Sequence, residues 1–208
     1  MQLKWTGANI VLLAQSHNPS ILSPNWIQQS RVIEESPENF IHTPVVSWYQ
    51  SSTFQMVAEQ ARFQLSLRTL SEGTLQALQG AVSRYIQTLP HVPYKGVGFN
   101  FTWLATVERS EEEEERLFLS ESEWVRRAFP EGEVKVGTFL YNVVHGYRVR
   151  LLVEPKLQTK ADLGLDFNYH FDVLSAEEAL KVLSRLPECF SNAEQSSKRL
   201  LGMALTKE

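Results

Sequence analysis

The sequence predicts an α+β fold, a largely antiparallel sheet with helices packed on one face. Apolar and polar residues alternate along several segments, which is typical of strands with one buried side. Other segments repeat their apolar residues at spacings of three and four, which is typical of amphipathic helices. The two kinds of segment are mixed along the chain, and a tight-turn signal indicates a hairpin, so a helix-covered antiparallel sheet is favoured.

The predicted strands share alternation or a short run of branched apolar residues. An aromatic side is clearest where Phe99, Phe101 and Trp103 alternate with small or polar residues. The two residues His145 and Gly146 separate two alternating stretches, which indicates a hairpin because glycine tolerates the positive φ of a tight turn. The strand segments are 9–15, 45–49, 54–67, 96–107, 134–144, 147–153 and 165–173.

The predicted helices are recognised by their apolar period and their end signals. The segment 75–89 has the clearest period, with Thr74 as its cap and Pro90 after its end. Ser110 and Ser175 each precede a glutamate three positions later, which is a capping box. A short helix is predicted from Pro24, and a final one over 188–201. The stretch bracketed by Pro37 and Pro44 is predicted to be a loop.

The chain of 208 residues is expected to form a single compact domain, 1–208. An internal sequence similarity favours two pseudo-repeated halves, about 1–109 and 110–208, each containing a βαβ unit. The triplets Phe99-Asn100-Phe101 and Phe167-Asn168-Tyr169 both lie in aromatic-sided strands that precede an acidic helix start. Chance is the alternative explanation, because such triplets are common in α+β proteins.

Composition narrows the class of protein. Twenty Lys and Arg residues stand against 24 Asp and Glu residues, so the net charge of −4 makes nucleic acid a disfavoured partner. Cys189 is the single cysteine, which excludes an intramolecular disulfide and any site with several thiolates; we expect an inert thiol there. No apolar run is long enough for a membrane span, and the first residues do not have the pattern of a secretory signal, so a cytoplasmic location is predicted.

The sequence contains none of the strong catalytic or cofactor motifs: GxxxxGK[ST], GxGxxG, GxSxG, HExxH and CxxC are all absent. No catalytic residue, cofactor or established metal site is therefore predicted. One polar face is a candidate, since Asp166, His170 and Asp172 project to the same side of one strand. These residues suit an acid/base pair or metal ligands, and the alternative is a solvated sheet face.

A second candidate site is basic. Arg62 and Arg68 lie on one predicted strand, and Arg148 and Arg150 lie on another. If the two strands turn these side chains to a shared side, they form a guanidinium face for a phosphate, a nucleic acid or an acidic partner. The alternative is an outer surface on which each arginine pairs with a neighbouring carboxylate.

Three functional hypotheses follow. The leading one is a non-catalytic binding or assembly protein that uses the exposed face or edge of its sheet to contact a protein partner or a second copy of itself. The second is nucleic-acid or phosphate-ligand binding through the arginine-bearing sheet face. The third is a metal-assisted hydrolase built around Asp166, His170 and Asp172.

Overall fold

The computed structural model describes residues 2–71, 73–106, 138–144, 147–155 and 162–203. In this part of the chain, one antiparallel sheet of nine strands carries four α-helices. The strands are β1 (Gln2–Ala14), β2 (Asn39–His42), β3 (Val46–Gln50), β4 (Phe54–Glu59), β5 (Arg62–Leu67), β6 (Tyr94–Thr106), β7 (Thr138–Val144), β8 (Tyr147–Pro155) and β9 (Asp162–Asp172). The helices are α1 (Pro24–Gln29), α2 (Thr74–Thr88), α3 (Ala176–Leu183) and α4 (Leu186–Leu200), and a 3-10 turn over Pro19–Ile21 precedes α1.

The strand order is β2-β3-β4-β5-β1-β6-β9-β8-β7. Neighbouring strands pair antiparallel throughout. Strands β5 and β6 lie on either side of β1 and are joined through α2, so they run parallel to each other with one strand between them. The two longest neighbouring strands, β1 and β6, therefore form the centre of the sheet.

The helices cover one face of the sheet, which confirms the predicted α+β class. Inward-facing side chains alternate along each strand, and Ile10, Phe63, Phe99, Phe101 and Tyr169 are fully enclosed beneath the helices. Burial of each of these large apolar side chains removes apolar surface from water and stabilises the fold by roughly 1.5–3 kcal/mol. Within the described ranges, no helix combines the length and the apolar character needed to cross a membrane.

The structure tests two of the predicted helix caps. Helix α2 begins at Thr74, but Gly73, in the left-handed conformation, occupies the position before it, so the prediction of Thr74 as the cap was wrong. The capping box at Ser175 is confirmed, since Ser175 Oγ accepts a hydrogen bond from Glu178 N at 3.1 Å. Glu178 Oε2 in turn accepts one from Leu174 N at 2.7 Å. The capping box predicted at Ser110 lies outside the described residues.

The stretch between Pro37 and Pro44 was predicted to be a loop, and this prediction was wrong. It contains the edge strand β2, which pairs with β3 so that Phe40 lies opposite Tyr49 and Ile41 opposite Trp48. Both prolines lie outside the strand, where their missing N–H groups remove no ladder hydrogen bond. Prolines at such positions flank a short edge strand without interrupting it.

Strand β1 begins at Gln2, seven residues before the predicted start at Asn9. Its pairing with β6 shifts register between Trp5 and Gly7, which marks a bulge. The extra residue reverses the alternation, so Leu3 and Trp5 face inward before the bulge, whereas Ala8 and Ile10 face inward after it. A search for one continuous period misses a strand of this kind.

The two sides of the sheet share one connectivity. Counting outward from the centre, β1 is followed by β5, β4 and β3, and β6 is followed by β9, β8 and β7. In both series the central strand comes first in the chain, and the other three follow from the outside inward. The second series begins at Tyr94, before the boundary near residue 110 that the internal sequence similarity suggests. Duplication of the two halves stays a prediction.

Candidate functional site

The face of the sheet opposite the helices is not covered by any described element, and we call it the uncovered face. A row of residues with polar atoms crosses this face at right angles to the strands, with one residue on each strand. Cross-strand register aligns them from one edge to the other. This polar row consists of Asn39, Gln50, Gln55, Ser66, Asn9, Asn100, Asn168, Arg150 and Tyr141.

Side-chain amides connect the centre of the polar row. Asn168 Nδ2 donates a hydrogen bond to Asn100 Oδ1 at 2.6 Å, and Asn100 Nδ2 donates to Asn9 Oδ1 at 2.7 Å. The three amides point the same way across β9, β6 and β1, and all three are half-buried. The hydrogen bonds fix the orientation of each amide plane and leave further amide hydrogens and lone pairs for a ligand.

The structure places the four predicted arginines on the uncovered face but does not bring them together. Arg62 is the first residue of β5 and Arg68 directly follows its last, whereas Arg148 and Arg150 lie on β8. Strands β1, β6 and β9 separate the two pairs. Four inter-strand spacings amount to about 19 Å, so no small ligand contacts both pairs.

The arginines on β5 have local partners. Arg68 Nη1 donates to Glu38 Oε2 at 2.6 Å and also to the carbonyl oxygen of Ser51. With its amide turned to present Oε1, Gln50 accepts from Arg68 Nη1 and Nη2 at 3.1 and 2.9 Å. Arg62 donates to Gln64 Oε1. These contacts suit a structural role at the outer surface.

Of the polar strand residues, His170 and Asp172 come together. His170 Nε2 lies 3.1 Å from Asp172 Oδ1, and Arg148 Nη2 donates to the same carboxylate at 3.1 and 3.2 Å. Asp166 lies four residues before His170 on the same strand, about 13 Å away, so the three predicted residues do not surround one ion. In the described ranges, no group of three or more His, Cys, Asp or Glu side chains is arranged to hold a metal.

A glycine positions the imidazole of His170. Gly96 lies opposite Asp172 on β6, and a Cβ atom added at Gly96 would lie 3.2 Å from His170 Cε1. Since glycine has no Cβ, the ring has room beside β6 while its Nε2 contacts Asp172 on its own strand. The next glycine on this face, Gly98, lies directly opposite His170 and has no contact this close.

A cleft of about 310 Å³ opens on this side of the sheet, over β7, β8 and β9. Its lining includes two predicted arginines, Arg148 and Arg150, together with His170, Asn168 and Tyr141. Arg150 lies between Tyr141 on one neighbouring strand and Asn168 on the other. The cleft thus combines guanidinium, amide, imidazole and aromatic groups within one concave surface.

Tyr141 is a residue of this cleft that the sequence analysis did not single out. Its side chain is 76% exposed, and its ring is stacked on that of Phe139 with centroids 6.5 Å apart and an angle of 18° between planes. The sequence feature that could have identified Tyr141 was the predicted hairpin. The register of β7 and β8 places Tyr141 opposite Arg150.

Both edges of the sheet expose large apolar side chains. On β2, Phe40 is 57% and Ile41 is 54% exposed, and Val45 in the following turn is also exposed. On β7, Phe139, Leu140 and Tyr141 are exposed. Exposed apolar edges are uncommon in monomeric proteins, because an open edge offers unpaired N–H and C=O groups to another strand.

A second cavity, of about 480 Å³, lies at the ends of helices α2 and α4. Most of its walls are apolar, including Trp5, Leu70, Leu75 and Phe190. It contains none of the residues that the sequence predicted as ligand-binding. The rings of Trp5 and Phe190, which line this cavity, have their centroids 5.0 Å apart. They belong to the packing between α4 and the sheet.

Two chemically reactive residue types are enclosed in the core. Cys189 is 1% exposed, and burial raises the pKa of its thiol to about 12, with Glu188 adding to the rise and Arg185 opposing it. His17 is likewise enclosed, at 2% exposed, and contacts Tyr85. Trp103 and Tyr169, from the two aromatic-sided strands, are also buried.

Neither a protein-family model nor a curated protein sequence matches the chain. The uncovered face, its cleft and its edges are therefore interpreted from their own geometry.

Proposed function

We propose that this chain is a non-catalytic binding and assembly protein of the cytoplasm that acts through protein–protein contacts at the edge of its sheet. The observation that supports the proposal most directly is the edge strand β2. All four of its residues are exposed, and its outer side has no neighbouring strand in the described part of the chain.

The composition of β2 favours pairing with another strand. Asn39, Phe40, Ile41 and His42 include no lysine and no proline, which are the residues that most often protect an edge. Phe40 and Ile41 point to opposite faces of the sheet, so both sides of the edge are apolar. A partner strand gains backbone hydrogen bonds and covers both side chains at once.

A second copy of the chain is a suitable occupant. A two-fold axis perpendicular to the sheet pairs β2 antiparallel with its own copy and places either Phe40 or Ile41 opposite itself. Because the side chains alternate with a period of two, these registers keep the helices of both copies on the same face. The result is one continuous sheet across two chains.

Light scattering coupled to size-exclusion chromatography tests this proposal. We expect a mass above 23.8 kDa for the wild type and the monomer mass for Ile41→Lys, which places a charge at the edge. Leu174→Lys is the matched control, because Leu174 is 89% exposed but lies outside every strand. A wild-type monomer over a wide concentration range, or equal effects of both substitutions, would argue against assembly through β2.

The absence of catalysis is part of the proposal. His170 and Asp172 have the contact of an acid/base pair, but Asp166 is too far away to complete the metal site considered above. A measured turnover that is lost in His170→Ala with the fold intact would overturn the non-catalytic assignment. The metal-assisted hydrolase is accordingly the weakest of the three hypotheses.

A second candidate function is nucleic-acid or phosphate-ligand binding through the arginine-bearing sheet face. The observation that favours it is the cleft lined by Arg148, Arg150, Asn168 and His170. The absorbance ratio at 260 and 280 nm, recorded in the same chromatography run, detects nucleic acid carried with the protein. A nucleic-acid-free protein that also fails to bind phosphate compounds would remove this candidate.

A further inference from the structure

We propose that the cleft over β7, β8 and β9 binds a nucleoside monophosphate unit, with the phosphate on Arg150 and the base on the ring of Tyr141. This inference rests on the second candidate function, phosphate binding through the arginine-bearing face. It adds the class of ligand and the division of roles between two neighbouring side chains.

Arg150 is the cation available for the phosphate. Its side chain is exposed, and among the described residues no carboxylate pairs with it. Arg148 differs, because Asp172 already accepts two hydrogen bonds from its guanidinium. A guanidinium without a carboxylate partner offers its fork of N–H donors to two phosphate oxygens.

Tyr141 supplies the platform for a planar ring. Its ring and that of Phe139 are nearly parallel and form an aromatic strip along β7. The two side chains are 76% and 55% exposed, so the strip is open to a ligand in the described structure. Stacking on an aromatic side chain is the usual way in which proteins bind bases without distinguishing one base from another.

The two groups are close enough to be used by one small ligand. Arg150 and Tyr141 lie directly opposite on paired strands, where Cβ atoms are about 5 Å apart. On the other side of Arg150, the amide of Asn168 and the imidazole of His170 provide polar contacts for a sugar or a phosphate oxygen. A cleft of about 310 Å³ is at the small end of ligand sites, which suits one nucleotide unit.

Titration calorimetry on the full chain tests the division of roles, with thymidine monophosphate, thymidine and inorganic phosphate as probes. We expect the monophosphate to bind at least about tenfold more tightly than either part alone, since it uses both contacts. Arg150→Gln should weaken monophosphate and inorganic phosphate binding by about tenfold or more. Tyr141→Leu should weaken the monophosphate and leave inorganic phosphate unchanged.

Arg62→Gln is the matched control, because Arg62 is an exposed arginine of the same face, four strands away from Arg150. It should leave the affinity for all three probes unchanged. Circular dichroism and thermal unfolding verify that each variant folds. Equal weakening by Arg62→Gln and Arg150→Gln would show general charge attraction and would overturn the inference.

The outcomes separate this inference from the function on which it rests. If the wild type binds none of the probes, both the second candidate function and the inference fail. If inorganic phosphate binds as tightly as the monophosphate, or Tyr141→Leu has no effect, phosphate binding stands and the nucleotide inference fails. Tight thymidine binding that Arg150→Gln does not alter also overturns it.

The same chemistry is present in a free nucleotide and in a nucleic-acid strand, and a further titration distinguishes the two sources. A single-stranded oligothymidylate that binds more tightly than the monophosphate, with an affinity that falls steeply with salt, identifies a nucleic-acid strand. Equal or weaker binding per site identifies the free nucleotide. Either result supports the inference, provided that Arg150→Gln and Tyr141→Leu both weaken the complex.

Discussion

Asn9 and Asn100 lie directly opposite each other on the two central strands, and the amide of Asn100 donates to that of Asn9 at 2.7 Å. The pair is located where the two series of strands with the same connectivity meet. Asn168 extends the contact by one strand, so Asn100 both donates and accepts a side-chain hydrogen bond. The centre of the uncovered face is thus held by polar contacts.

Replacing Asn100 tests how much these contacts stabilise the sheet. Asn100→Ala removes two hydrogen bonds, each contributing about 0.5–1.5 kcal/mol, and should lower the free energy of unfolding by about 1–3 kcal/mol. Urea unfolding measures the change. Gln55→Ala, in the same polar row on β4, is the control and should change stability by less than about 0.5 kcal/mol. Equal losses in the two variants would contradict a specific role for the amide chain.

The carboxylate of Glu35 is predicted to hold the loop between β3 and β4. Its partial burial acts to raise its pKa, but hydrogen bonds from Ser51, Ser52 and Thr53 outweigh this effect and lower the pKa to about 2. Glu35→Gln weakens acceptance from Ser52 Oγ and Thr53 N, both at 2.9 Å, and should cost about 1–2 kcal/mol at neutral pH.

The pH dependence of this stabilisation has a definite sign. The pKa of Glu35 is lower in the folded chain than the ordinary 4.5, so its contribution is complete above about 4.5 and is lost as the pH falls toward 2. The difference in unfolding free energy between wild type and Glu35→Gln should therefore shrink on acidification. Glu34→Gln, next to it and exposed, is the control. A difference that stays constant with pH would contradict the role of the Glu35 carboxylate.

His17 is predicted to make the fold sensitive to mild acid. It is buried between Tyr85 and the carbonyl of Leu12, with Nδ1 2.9 Å from Tyr85 Oη and Nε2 3.3 Å from Leu12 O. Burial lowers its pKa from 6.5, more than the hydrogen bond to Leu12 raises it. Nε2 therefore carries the proton of the neutral ring, and Nδ1 accepts from the tyrosine hydroxyl.

Since the folded chain keeps His17 neutral while the unfolded chain protonates it, stability should fall as the pH drops below 6.5. The slope contributed by this one group reaches at most about 1.4 kcal/mol per pH unit. Unfolding measured between pH 7.5 and 5.5 should show this slope in the wild type and in His91→Gln, where the replaced histidine is exposed. His17→Gln should lose it, and an unchanged slope would contradict the assignment.

Cys189 should react with Ellman's reagent only when the protein opens. Burial raises the pKa of its thiol to about 12 from a usual 9, so the thiolate fraction at pH 8 falls on the order of a thousandfold. The single thiol should react rapidly in denaturant and very slowly without it. Comparable rates in the two conditions would place Cys189 at the surface and contradict its packing in α4.

The sequence predicted the fold class and most elements because local patterns carry that information. The alternation along 165–173 and the period along 75–89 reappear as β9 and α2. The edge strand β2 and the first residues of β1 were missed for different physical reasons. Four exposed residues have no buried side to reveal an alternation, and the bulge between Trp5 and Gly7 reverses the phase of the pattern.

The candidate site could be predicted only in pieces. Alternation placed Arg148 and Arg150 on the same side of one strand, but the order of strands decided which other residues lie beside them. His170 and Asn168 join them because β9 is the neighbour of β8, while Arg62 and Arg68 are distant because three strands intervene. Strand order depends on contacts between distant parts of the chain, which single-strand patterns do not encode.

The contact between Gly96 and His170 gives a final prediction about the cleft. In Gly96→Ala the new Cβ would lie 3.2 Å from His170 Cε1 and 3.4 Å from the carbonyl oxygen of Phe171. Since the backbone of β9 is fixed by its pairing with β6, the imidazole has to move, and its hydrogen bond to Asp172 should weaken. Gly98→Ala is the matched control, because its nearest contacts are 3.7 Å. The imidazole NMR signals of His170 should shift in the first variant and change little in the second. Arg148 should retain its pair with Asp172 in both, so a similar shift in the two variants would mean that the packing against Gly96 does not position His170.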